Sequence, residues 1–105
     1  MMGKSNMTQN KLTLEQYFNQ IRGSYDEEII NASIFEIMVS DFMYQLRNGY
    51  STQLIFSYNG ENMILKDLDE QNMLLTHLIN YYNSLNRITA CKTIQFIRES
   101  INRVN

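Results

Sequence analysis

One histidine, His77, and one cysteine, Cys91, are the side chains of this 105-residue chain best suited to proton transfer or nucleophilic attack near neutral pH. A thiolate–imidazole dyad needs the two in hydrogen-bond reach, with a third group orienting the base. His77 lies among Leu74, Leu78 and Tyr81 with no Ser, Cys or acid at a meaningful spacing, so it reads as a structural or surface histidine. Cys91, near the start of a helix, reads as a buried and inert thiol. A single Cys excludes an internal disulfide, and with a single His it cannot form a Cys/His zinc cluster, so neither metal nor cofactor is expected. Gly3-Lys4-Ser5 ends like a phosphate-binding loop but lacks the upstream glycine and the strand that would aim backbone amides. Met2-Gly3 is followed at Met7 by the wrong residue for a myristoylation start. The acids show no pairing of the kind glycosidases use. No catalytic residue is assigned, and the chain is expected not to be an enzyme.

Binding chemistry is better represented. Net charge is −2, but residues 1–25 carry +2, residues 26–70 carry −7 and residues 71–105 carry +3. The acidic middle, together with seven Tyr and seven Met, suits protein recognition, because aromatic and Met side chains supply contact area and acids steer toward basic partners. Candidate partner-binding residues are Glu28, Glu36, Asp41, Tyr50, Tyr58, Glu61 and Asp67. The alternative surface is the basic C-terminal helix, with Arg87, Lys92, Gln95, Arg98, Asn102 and Arg103 as candidate DNA-binding residues. There, Gln95, Arg98, Glu99 and Asn102 recur at i, i+3, i+4 and i+7, and Gln, Arg and Asn pair bidentately with base edges. Only nine cations and a pI of 5.3 weigh against nucleic acid.

The elements that must position these groups follow from periodicity and punctuation. Residues 1–11 are polar and aperiodic, and are expected to be a disordered arm. Thr13 is placed to cap a helix through Arg22, with Leu14, Tyr17, Phe18 and Ile21 on one face and Gly23 as its stop. Ser24 and Glu27 fit a capping box for a second helix running to about Arg47, ended by Asn48-Gly49. That long helix is apolar around most of its circumference, so it is either the central core helix or part of a homodimer or partner interface. Asn59-Gly60 suits a type I′ turn between Thr52–Tyr58 and Glu61–Lys66, pairing Tyr58 with Glu61, Phe56 with Met63, Leu54 with Leu65 and Ile55 with Ile64. Both outer edges of so small a sheet are openings for strand addition. Asp69 is read as the cap of a third helix, with Leu68 stapled onto Met73. A fourth helix, from about Thr89 to Arg103, carries the stripe Ala90, Ile94, Ile97, Ile101 and Val104, antiparallel to the third.

The fold class is therefore α+β: a small single domain over residues 12–105, ordered α-α(long)-β-hairpin-α-α, with a two-stranded antiparallel hairpin packed on helices. No run of about 18 apolar residues exists to span a membrane, nor a secretory leader, so a cytoplasmic protein with no membrane partner is expected. Thirteen Asn and twelve Ile against two Ala and two Val fit an AT-rich gene, which points to a low-GC bacterial host, its phages or its plasmids. In size, acidity, residue usage and helix-plus-hairpin composition, the chain resembles the small inhibitors that phages and mobile elements deploy against host nucleases and defence systems, anti-CRISPR proteins among them, and toxin-immunity proteins. The resemblance implies a non-enzymatic inhibitor of a basic nucleic-acid enzyme or defence system, with the homodimer that the long helix allows as one expected form; the alternative is a dimeric DNA-binding regulatory or accessory protein.

Overall fold

A computed structural model describes residues 12–49 and 53–104. The arm expected over residues 1–11, the contact residue Tyr50 and the strand start at Thr52 lie outside the described residues. The element order is α1 (Leu14–Ile21), α2 (Glu27–Arg47), β1 (Leu54–Tyr58), β2 (Glu61–Leu65), α3 (Leu68–Ser84) and α4 (Ile88–Val104). This is the α+β arrangement read from the sequence, with one antiparallel hairpin among four helices.

α1 begins in a reciprocal capping box. Gln16 N–H donates to Thr13 Oγ1 at 3.1 Å and Thr13 N–H donates to Gln16 Oε1 at 3.0 Å, satisfying two amides that the helix itself leaves unpaired. Gly23, at φ +77°, turns the chain toward α2. The box expected from Ser24 and Glu27 does not form. Asp26 holds the N-cap position, at φ −99° and ψ 14°, and makes no side-chain cap bond. Ser24 is occupied by the inter-helix turn, its N–H donating to Ile21 O and its carbonyl accepting from Glu27 N–H. Asp26, Glu27 and Glu28 still place negative charge at the positive end of the helix dipole.

α2 is about 30 Å long by its 21 residues and contributes one line to the core, while Ile29, Tyr44 and Leu46 on it stay exposed. Asn31, Ile34, Met38 and Phe42 form its buried line, with Ile30, Phe35, Val39 and Met43 packed against the same core. One flank meets α3, where the Phe35 and Tyr82 rings lie 5.1 Å apart, and another meets β1. The two run antiparallel. Gln45, near the end of α2, bonds the backbone of Gln53 just before β1, while Ile29, Ile30 and Ser33 approach Ser57, Asn59 and Gly60 at the hairpin turn.

The hairpin has the expected register and a type I′ turn, with φ +50° at Asn59 and +81° at Gly60. Leu54, Phe56 and Leu65 enter the core from its inner face. α3 starts earlier than expected: Asp67, not Asp69, is its N-cap, and Leu68 is its first helical residue. A staple joins the residue before the N-cap to the fourth helical residue, which here would be Lys66 and Gln71, so Leu68 and Met73 cannot form it. Met73 accordingly stays 38% exposed, and Gln71 turns inward to donate from Nε2 to Leu65 O at 2.7 Å. Asn86, at φ +58°, helps reverse the chain into α4, whose Ile94, Ile97 and Ile101 close the core against α3. Among the described residues, no helix is long and apolar enough to cross a membrane.

Candidate functional site

His77 is 6% exposed and bridges three helices. Its ring stacks on Phe18 of α1 at 4.0 Å and 4°, and its Nε2 lies 2.8 Å from Oδ1 of the fully buried Asn31 of α2. Because a carboxamide oxygen only accepts, this arrangement assigns the ring proton to Nε2. Burial, and then the Arg22 charge, lower the imidazole pKa from 6.5 to about 4, so the ring is neutral at pH 7. Asn31 Nδ2 is buried without a partner. The sequence signal for this pair was a single polar residue, Asn31, within the otherwise apolar line Ile34, Met38 and Phe42. Cys91 is engaged elsewhere, its Sγ 3.8 Å from Ile79 O, so the structure does not join it to His77 as a dyad. Among the described residues, no three His, Cys, Asp or Glu side chains converge on a metal site.

The basic face of α4 is only partly free. Arg98, expected to point outward, is half-buried and donates from Nη2 to Asn72 O at 3.3 Å and to Thr76 Oγ1 at 2.5 Å. Asn102 Oδ1 accepts from Asn72 Nδ2 at 3.4 Å. Two of the side chains suited to base edges are thus held against α3, whereas Arg87, Lys92, Gln95 and Arg103 are exposed.

The hairpin presents a different kind of surface. A two-residue type I′ loop makes Tyr58–Glu61, and therefore Phe56–Met63 and Leu54–Leu65, the hydrogen-bonded pairs. The N–H and C=O groups of Ile55 and Ser57 then point outward from β1, and those of Asn62 and Ile64 outward from β2. On the β1 side α2 runs alongside, and the Gln45 amide stands in for a neighbouring strand. It donates to Gln53 O at 3.2 Å and accepts from Gln53 N–H at 3.1 Å. On the β2 side, no backbone bond among the described residues outside the hairpin reaches Asn62 or Ile64, and Ile64 is 50% exposed.

Beside that open edge lies a cleft of about 220 Å³ between the chain entering α1 and the hairpin. Its walls include Leu12, Leu14, Tyr17, Tyr58, Met63 and Leu65, with Glu70 among the lining residues. The Tyr17 and Tyr58 rings meet edge to face at 4.6 Å, fixing one wall. Glu61 opens β2, and Asp67, Asp69 and Glu70 follow it, all exposed, with Lys66 as the one cation between positions 61 and 70.

Of the seven expected partner-contact residues, the six that are described do not form one surface. Tyr58, Glu61 and Asp67 surround β2, whereas Glu28, Glu36 and Asp41 lie on α2, with β1 between the two groups. Glu28 adds to burial in raising the pKa of Tyr81, which places it toward α3, and Asp41 accepts from Gln45 Nε2 on the β1 flank. The acidic middle of the sequence is thus divided by the fold into an α2 group and a β2 group. Compared with known proteins, the chain matches no family model, no curated protein and no solved structure.

Proposed function

We propose that this chain is a small non-enzymatic protein-binding module, an inhibitor or adaptor that acts by covering a partner's surface with the β2 flank of its hairpin. The observation that carries this reading is the coincidence of a strand edge unpaired among the described residues, an adjoining apolar cleft and acids at both ends of the strand. Each supplies one part of recognition: main-chain bonds, buried area and charge. The acids suit a basic partner, and a nucleic-acid enzyme or defence component of a low-GC bacterium, countered by a phage or mobile element, is the target class proposed. The buried His77 and Gln71 and the half-buried Arg98 are each bonded within the fold, which supports a binding rather than catalytic role. The alternative, a dimeric DNA-binding regulator using α4, has less support because Arg98 and Asn102 are held against α3.

The test is a pull-down with the tagged full chain from a low-GC bacterial lysate, with and without nuclease, comparing wild type with Glu61→Lys/Asp67→Lys. A stoichiometric protein that survives nuclease, and is lost by a variant of unchanged helicity, supports the reading. Recovery of DNA whose associated proteins vanish with nuclease overturns it, as does equal capture by both chains.

A further inference from the structure

We infer that β2 recruits its partner by strand addition, taking an extended segment with alternating apolar side chains and basic residues at both ends as a third strand of the sheet. The inference rests on the protein-binding reading above and specifies how it is achieved. Asn62 and Ile64 offer two outward N–H and two outward C=O groups, spaced as a neighbouring strand requires. On the other side α2 packs along β1 and the Gln45 amide occupies the backbone of Gln53 next to that strand, so β2 is the side favoured for growth. Side chains of an added strand alternate between two faces. On the inner face they meet the cleft walls at Leu12, Leu14 and Met63, and on the outer face they lie beside the half-exposed Ile64. Apolar residues fit both environments.

Charge selects the ends. Glu61 stands at one end of β2, and Asp67, Asp69 and Glu70 stand at the other, offset only by Lys66. A segment laid in either direction therefore has both termini beside carboxylates, and basic termini are favoured whichever way it runs. Like charges across adjacent strands are unfavourable, so an acidic segment is rejected at the same two places.

The experiment uses the full chain and two synthetic probes with blocked ends, Lys-Val-Thr-Val-Thr-Val-Lys and its analogue with Glu at both ends. Amide exchange and chemical shifts are followed by NMR. In the free protein, the Asn62 and Ile64 amides are expected to exchange rapidly while those of Met63 and Leu65 are protected by β1. Millimolar basic peptide protects Asn62 and Ile64, and the acidic analogue binds about tenfold more weakly. Ile64→Pro removes one outward N–H without removing a bond to β1, and is expected to abolish uptake while the Met63 and Leu65 amides stay protected. No change at Asn62 or Ile64 with millimolar basic peptide overturns the inference. Protection of these amides before any peptide is added also overturns it, and light scattering then tells a second copy from the chain's own cover. A partner captured from lysate equally by wild type and Ile64→Pro leaves the protein-binding reading standing and removes strand addition alone.

Discussion

Replacing His77 with Gln isolates the energetic consequence of burying a neutral imidazole among three helices. The folded ring has a pKa of about 4, against 6.5 when the chain is unfolded. Between these values the unfolded state binds the extra proton, so stability is fully present above pH 6.5 and declines as pH falls toward 4. A depression of this size corresponds to roughly 3 kcal/mol once the decline is complete, of which about 2 kcal/mol is lost between pH 7 and pH 4.5. Gln lacks the titrating ring, keeps a polar group able to reach Asn31, and loses the stack on Phe18, so His77→Gln is less stable than wild type at pH 7. Urea unfolding followed by circular dichroism, repeated between pH 7.5 and 4.5, measures both curves. Carboxylates titrate in both proteins and cancel in the difference, so the gap between the curves is expected to narrow by about 2 kcal/mol on acidification. Parallel curves would refute the burial argument, as would a His77 titration near 6.5 in the proton spectrum.

Three other substitutions read separate parts of the fold. Thr13→Ala removes one half of the α1 capping box and is expected to lower stability by about 1 kcal/mol in urea unfolding; Thr13→Ser should recover most of it. Gly60→Ala meets no neighbouring atom, so its cost is the positive φ alone, about 1 kcal/mol, with the hairpin register unchanged by NMR. Arg98→Ala breaks charged hydrogen bonds to α3 and is expected to cost about 1–2 kcal/mol, whereas the exposed Arg103→Ala stays within about 0.5 kcal/mol. The reverse order, or a drop in low-salt DNA affinity for Arg98→Ala without loss of stability, would favour a groove-reading role for α4.

The elements were legible where local chemistry alone decides them. Asn59-Gly60 satisfies two consecutive positive φ values, and a two-residue loop then dictates every cross-strand pair, so the register from Leu54–Leu65 to Tyr58–Glu61 followed from the turn. The stripe Ile94, Ile97 and Ile101 identified the buried face of α4 in the same way. Helix starts were harder to read, because several capping residues competed. Ser24, Asp26, Asp67 and Asp69 all carry a suitable side chain, and the choice fell to the turn geometry after Gly23 and to the inward rotation of Gln71. Arg98 was misread as a surface residue because its long side chain folds back over the helix pair, a direction that spacing along α4 does not encode. The edge of β2 depended on tertiary packing: that α2 lies along β1 and not β2 is a matter of how the helix docks on the hairpin, which the alternation within either strand does not encode.

A two-stranded sheet is marginal alone, and here its inner face and its β1 edge are answered by different devices. The core covers the inner face through Leu54, Phe56 and Leu65, and α2 with Gln45 attends to β1. β2 has neither. Proteins that must avoid strand addition blunt such an edge with proline, a bulge or inward-pointing charge, and the paired register of β2 is continuous, contains no proline and includes the half-exposed Ile64. Its charges stand at the ends, where strand addition as proposed would use them to discriminate between incoming segments without interrupting the ladder. The acids of α2 serve the helix dipole and the flanks of α3 and β1, whereas Glu61, Asp67, Asp69 and Glu70 bracket an unpaired backbone edge. It is on this bracketing, more than on the overall negative charge, that the proposed choice of partner rests.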